Sequence, residues 1–193
     1  MDLEKRKEIL EEYWKKCNDG YFKNNKEITG FDFKYPEYVV YFTDIIRGSY
    51  EGGTNQVYVD FHISYERTSF IVCEEIFHLH HWEIYKKFVE NIESPWLDKN
   101  VWEISETIPD FIFSSPLFKE FGWFEGLNRN YPFIEKWKEK LNFIWKNKKD
   151  FKDFLIKAHK LGDLKKMINV KELINEYTKD LNPKVVLDLG CGK

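Results

Sequence analysis

Apolar residues near the start of the chain recur at helical spacing. Leu3, Ile9, Leu10, Tyr13, Trp14 and Cys17 form one stripe, and Asn18-Asp19-Gly20 reads as its stop. The period then shortens. Tyr38 to Thr43 is apolar and β-branched, Ser49 to Gly53 reads as a turn, and Val57 to Ile63 alternates with Val57, Val59, Phe61 and Ile63 on one face. That alternation predicts a strand with one face on a core and the other, carrying Tyr58, Asp60 and His62, towards solvent or a cleft.

Helical spacing returns from Thr68 to Val89, and Asn91 to Pro95 ends it. A further helical stretch opens near Asn100, where Asn100 and Glu103 have capping-box spacing, and Pro109 is expected to kink or restart it. Pro116 to Pro132 reads as irregular. Pro132 opens an amphipathic helix through Phe133, Ile134, Trp137, Leu141 and Ile144, with helices near 150–161 and 170–181 beyond it. A last apolar strand runs from Val185 to Leu189. The order helix, strands, helices predicts an α+β fold.

Composition narrows the classes. The 193 residues are 42% hydrophobic and 18% aromatic, with only 10 Gly and 6 Pro, which excludes fibrous and wholly disordered chains. No apolar run is long enough to span a bilayer, and the charged start MDLEKRKEIL is unlike a signal peptide, so a cytoplasmic protein with no membrane partner is expected. Three scattered cysteines with no CxxC pair argue against a disulfide framework or a thiolate zinc site. Residues 1–130 carry 15 basic and 24 acidic side chains, net −9, and residues 131–193 carry 15 and 9, net +6. The basic half does not predict a nucleic-acid partner. Of the 30 basic residues 26 are Lys, interleaved with Glu and Asp along helical stretches, which suits a solvated face.

The chemistry is concentrated in FIVCEEIFHLHHWEIY, residues 70–85. Residues four apart are neighbours on a helix, so Glu74 and His78 project side by side, with His81 continuing the stripe and Glu75 one position round. A carboxylate–imidazole pair at that spacing can supply two metal ligands. Glu103 and Glu106 share a face of the next helical stretch. If these carboxylates converge without a cation, mutual repulsion raises some of their pKa values; a divalent ion would remove the difficulty. Against this stands a plainer reading, in which Glu74 and Glu75 are exposed charges paired with Arg67 or Lys86 and His78 is a half-buried imidazole. A ferritin-like di-iron site would need a second ExxH beside Glu75–His78, and the chain has none.

A glycine-containing turn, an edge strand, a helix bearing the motif and a glutamate on a later helix together resemble the gluzincin branch of the zincin metallopeptidases, over roughly residues 38–115. Gly52-Gly53-Thr54 to Ile63 is similar to the strand, Cys73 to His78 to the motif helix, and Trp102 to Ile108 to the stretch with the last ligand. The resemblance implies a zincin-like domain over residues 1–181, with Zn2+ or another divalent metal held by Glu74, His78 and Glu106. It also implies Glu75 as general base and a peptide or protein as substrate. The chain departs from the family at one ligand, because Glu74 stands where the first histidine of HExxH belongs. Two carboxylate ligands make a weaker Lewis acid than two imidazoles and suit a harder metal. A degenerate relative that binds peptides or proteins without hydrolysing them is therefore the alternative.

The last residues, KVVLDLGCGK (184–193), resemble the first motif of S-adenosylmethionine-dependent methyltransferases, a strand entering a glycine loop. That resemblance makes residues 182–193 the start of a truncated or split methyltransferase domain, with Asp188 and Gly190 as its cofactor contacts. The preceding residues would then be an accessory N-terminal domain.

Overall fold

The computed structural model describes residues 3–44, 48–60, 62–89, 98–122 and 131–162. The first helix, α1 (Leu3–Thr29), runs nine residues past the predicted stop at Gly20. Gly20 does not end it, because it makes room for a neighbour. A Cβ there would fall 2.7 Å from the Phe121 ring, so glycine lets that ring approach the helix. The stripe then continues through buried Tyr21, whose hydroxyl donates to the Cys73 carbonyl at 2.7 Å.

Three short strands follow: β1 (Val39–Thr43), β2 (Gly48–Tyr50) and β3 (Gln56–Asp60), in the order β1-β3-β2. β1 lies parallel to β3, and β2 antiparallel to it. The structure corrects two expectations here. The alternating strand is central in the sheet and not at its edge, and the predicted turn at 49–53 begins as strand β2, with the chain reversing over Glu51 to Asn55. Within β3 the alternation holds, with Val57 and Val59 fully buried and Tyr58 turned outward against Tyr41.

The buried sheet face rests on α2 (Tyr65–Phe88), which Ser64 caps by accepting from the Arg67 N–H. Every residue from Thr68 to Trp82 is buried, because α1, the sheet and α3 enclose this helix. α3 (Lys99–Phe113) begins at Asp98, whose carboxylate caps Asn100 and Val101, so the predicted Asn100–Glu103 box is not the cap. The helix passes through Pro109 without restarting. A 3-10 helix (Pro116–Phe121), α4 (Phe133–Lys146) and α5 (residues 151–162) complete the described fold. It is mixed α+β: a small sheet against a helical body whose core runs from Cys17 and Tyr21 to Phe154 and Ala158. Among the described residues no helix is long and apolar enough to cross a membrane. The expected helix at 170–181, the strand at 185–189 and the methyltransferase-like unit 182–193 with Asp188 and Gly190 lie outside the described residues.

Candidate metal centre

α2 carries Glu74, Glu75 and His78 on the part of its surface that meets β2 and α3. Tyr50 and Gly48 sit opposite Val57 and Val59 in the antiparallel ladder, so both face the helix with those buried valines. Strand spacing of two thus matches helix spacing of three: Gly48 lies on Glu75, and Tyr50 on His78. A Cβ at residue 48 would fall 2.5 Å from Glu75 Oε1 and 2.6 Å from Ile71 Cγ2. Only glycine lets the strand come this close. The Tyr50 ring stacks on the His78 imidazole, centroids 5.5 Å apart and 23° between planes, and its hydroxyl accepts the Trp82 indole N–H at 2.6 Å.

α3 brings Glu106 across from the other side. One ligand atom each of Glu74, His78 and Glu106 lie within 4.8 Å of one another. His78 Nε2 and Glu106 Oε1 are 3.5 Å apart. Around a tetrahedral ion with bonds of roughly 2.1 Å, ligand atoms sit about 3.4 Å apart, so the His78–Glu106 separation already suits coordination and the wider ones need a small contraction. Glu74 and Glu75 are only 8% and 9% exposed, and His78 only 2%. The reading of these glutamates as exposed surface charges is thereby overturned.

Burial governs the protonation of the cluster. It raises the Glu75 carboxyl to about 8, with the nearby Glu106 carboxylate adding to the rise. The same desolvation lifts Glu106 to about 7 and lowers His78 to about 3. Between about pH 3 and 7 the His78–Glu106 contact therefore joins two neutral groups. His78 Nδ1 is buried without a hydrogen-bond partner among the described residues, whereas a metal-bound imidazole usually donates from its second nitrogen.

Glu103 takes no part, although it shares the helix with Glu106: its carboxylate accepts the Trp137 indole N–H at 2.7 Å. His80 stacks on Phe33 and meets the Thr29 hydroxyl at 3.2 Å. His81 does not join the cluster; it packs against His159 with ring centroids 6.0 Å apart. His62 is exposed. The sequence reading missed Gly48, Tyr50 and Trp82. The signal was the i, i+2 spacing of Gly48 and Tyr50 just before a turn, hidden because Gly52-Gly53 drew the turn forward. Compared with protein-family models, curated proteins and solved structures, the chain matches none.

Proposed function

We propose that this chain is a zincin-like metallopeptidase domain with a departed motif, in which Glu74, His78 and Glu106 hold one divalent ion and Glu75 is the general base. The observation that carries the reading is the meeting of three ligand atoms from α2 and α3 within 4.8 Å in a buried site. The donor set fits a divalent ion, since two carboxylates and an imidazole nearly neutralise the charge and leave a position open for water or a carbonyl. Such an ion, when bound, would polarise a carbonyl or lower the pKa of water.

The protein's own groups supply the rest. A carboxyl held at about 8 exchanges a proton readily near neutral pH, which suits Glu75 to take one from attacking water and return it to a leaving amine. β2 pairs on one side only among the described residues, so its other edge can hydrogen-bond an extended peptide. Cys17 and Cys73 are free and buried, in keeping with a reducing, cytoplasmic setting.

Glu74 in place of a histidine favours a second reading, in which the same site binds a metal and a peptide without turnover. Zinc or manganese content of protein purified from supplemented medium, together with cleavage of a quenched fluorescent peptide library, tests both. Near-stoichiometric metal with cleavage abolished in Glu75→Gln supports the peptidase. Metal without cleavage, with activity appearing in Glu74→His, supports the degenerate relative. Protein that binds no divalent ion even at millimolar concentration sinks the proposal.

A further inference from the structure

On the face of α2 turned away from Glu74 and His78, a cleft of about 500 Å3 opens between α1, β1 and α2. Its volume falls within the range of small-molecule sites, roughly 300–1,000 Å3. Trp14 and Phe22 of α1, Val40 and Phe42 of β1, and Val72 and Ile76 of α2 form its walls. The first four are only half-buried, so contiguous aromatic and aliphatic surface faces the void. Asn18 and the hydroxyl residues Tyr38, Thr68 and Ser69 interrupt that surface, and Ser69 is the one set into the helix wall with its hydroxyl unspent. Ser69 is 3% exposed, lines the cleft, and has no side-chain hydrogen bond among the described residues, whereas neighbouring Thr68 spends its hydroxyl on the Ser64 carbonyl.

The charges stand at the mouth, and they cancel. Lys7 and Glu11 are 4.0 Å apart on successive turns of α1, and Lys15 and Glu37 are the other charged residues of the lining. Two ammonium groups and two carboxylates give no net attraction to an ion of either sign, so nothing at the rim offsets the cost of taking a charge out of water against the apolar walls. We propose that this cleft binds an uncharged, largely apolar small molecule carrying one hydrogen-bonding group, which Ser69 recognises. The site is independent of the metal centre and stands whether or not a metal binds there.

Titration of the full chain with an uncharged solvatochromic naphthalene ketone dye tests this. The expected result is saturable one-to-one binding with a blue-shifted emission, displaced by 1-octanol and not by octanoate at pH 7. Ser69→Ala should weaken binding about five- to tenfold, the loss of one hydrogen bond. Val72→Trp fills the cleft from the helix side and Val40→Trp from the strand side; each, shown folded by circular dichroism, should abolish binding at least tenfold. Having two such variants keeps the test decisive if one fails to fold. Non-saturable dye uptake, or unchanged affinity in a folded filling variant, overturns the site; displacement by octanoate at least as strong as by octanol overturns the ligand class.

Discussion

His78 Nε2 on α2 stands 3.5 Å from Glu106 Oε1 on α3, and burial keeps both groups uncharged between about pH 3 and 7. Between an ionised carboxylate and a protonated imidazole this contact would be a salt bridge. Desolvation removes both charges, and what remains is a carboxyl and a base aimed at a shared point with Glu74. A proton and a divalent cation therefore compete for the same oxygens.

That competition sets the pH dependence of metal binding. Glu106 is raised to about 7, so below that pH it must release a proton before it can ligate. Zinc affinity is expected to rise close to tenfold per pH unit between 5 and 6.5 and to level off above 7.5. Calorimetry in two buffers of different ionisation enthalpy should count about one proton released near pH 6. Glu106→Gln should lose both the affinity and the proton release; equal affinity at pH 5.5 and 8 would contradict the assignment.

The metal-free protein should respond to pH in the opposite direction. Glu75 has a folded-state pKa of about 8, well above the carboxyl of an unfolded chain. Its contribution to stability is complete below pH 4.5 and declines as pH rises through 8, because the unfolded state gives up the proton more easily. Glu75→Gln keeps the shape and removes the ionisation. The variant should melt several degrees higher than the parent at pH 9 and within a degree or two of it at pH 5, both in chelator. The reverse ordering at pH 9 would mean that the carboxylate is stabilised in the fold by a partner.

Gly48 makes the contact between strand and helix testable without chemistry. A methyl group there meets Glu75 Oε1 at 2.5 Å and Ile71 Cγ2 at 2.6 Å, so these buried side chains, or β2 itself, must shift. Gly48→Ala is expected to destabilise by about 1–3 kcal/mol, as overpacking does, and to weaken metal binding as Tyr50 is levered off His78. Ser49→Ala, on the opposite strand face, should be nearly neutral. A double-mutant cycle with Glu75→Ala should recover part of the loss, since one of the two close contacts is then gone.

How far the sequence disclosed all this depended on whether a signal was local. Glu74, Glu75 and His78 are three residues of one helix, and the period of that helix places them together without knowledge of the fold. Glu106 was legible at one remove, as an acidic residue of the next helix. Burial of Glu74 and Glu75 was not, because nothing in EEIFH says that α1, the sheet and α3 will close around α2. The end of α1 was misplaced for a related reason. Gly20 stops a helix in isolation, yet here tertiary packing of Phe121 against it outweighs a propensity difference of about 1 kcal/mol. Tyr50 was read as turn because strand β2 is only three residues long, too short for a period to register.

A final prediction concerns the acid side. His81 and His159 are 0% and 1% exposed, their rings are 6.0 Å apart, and none of their four ring nitrogens has a hydrogen-bond partner among the described residues. Burial lowers His159 to about 3, and burial together with the neighbouring histidines holds His81 well below the ordinary imidazole range. An unfolded histidine takes up its proton near pH 6.5, so stability from this pair is complete above that value and is lost as pH falls towards 3. His159→Phe retains an aromatic ring against Tyr85, whose centroid is 4.3 Å away, and deletes one ionisation. The variant's acid unfolding midpoint should move down by about half a pH unit or more, with the melting temperature at pH 7.5 changed far less. His62→Phe, on an exposed residue, should leave the midpoint in place. If His159→Phe unfolds at the same pH as the parent, proton uptake by this pair does not drive the acid transition.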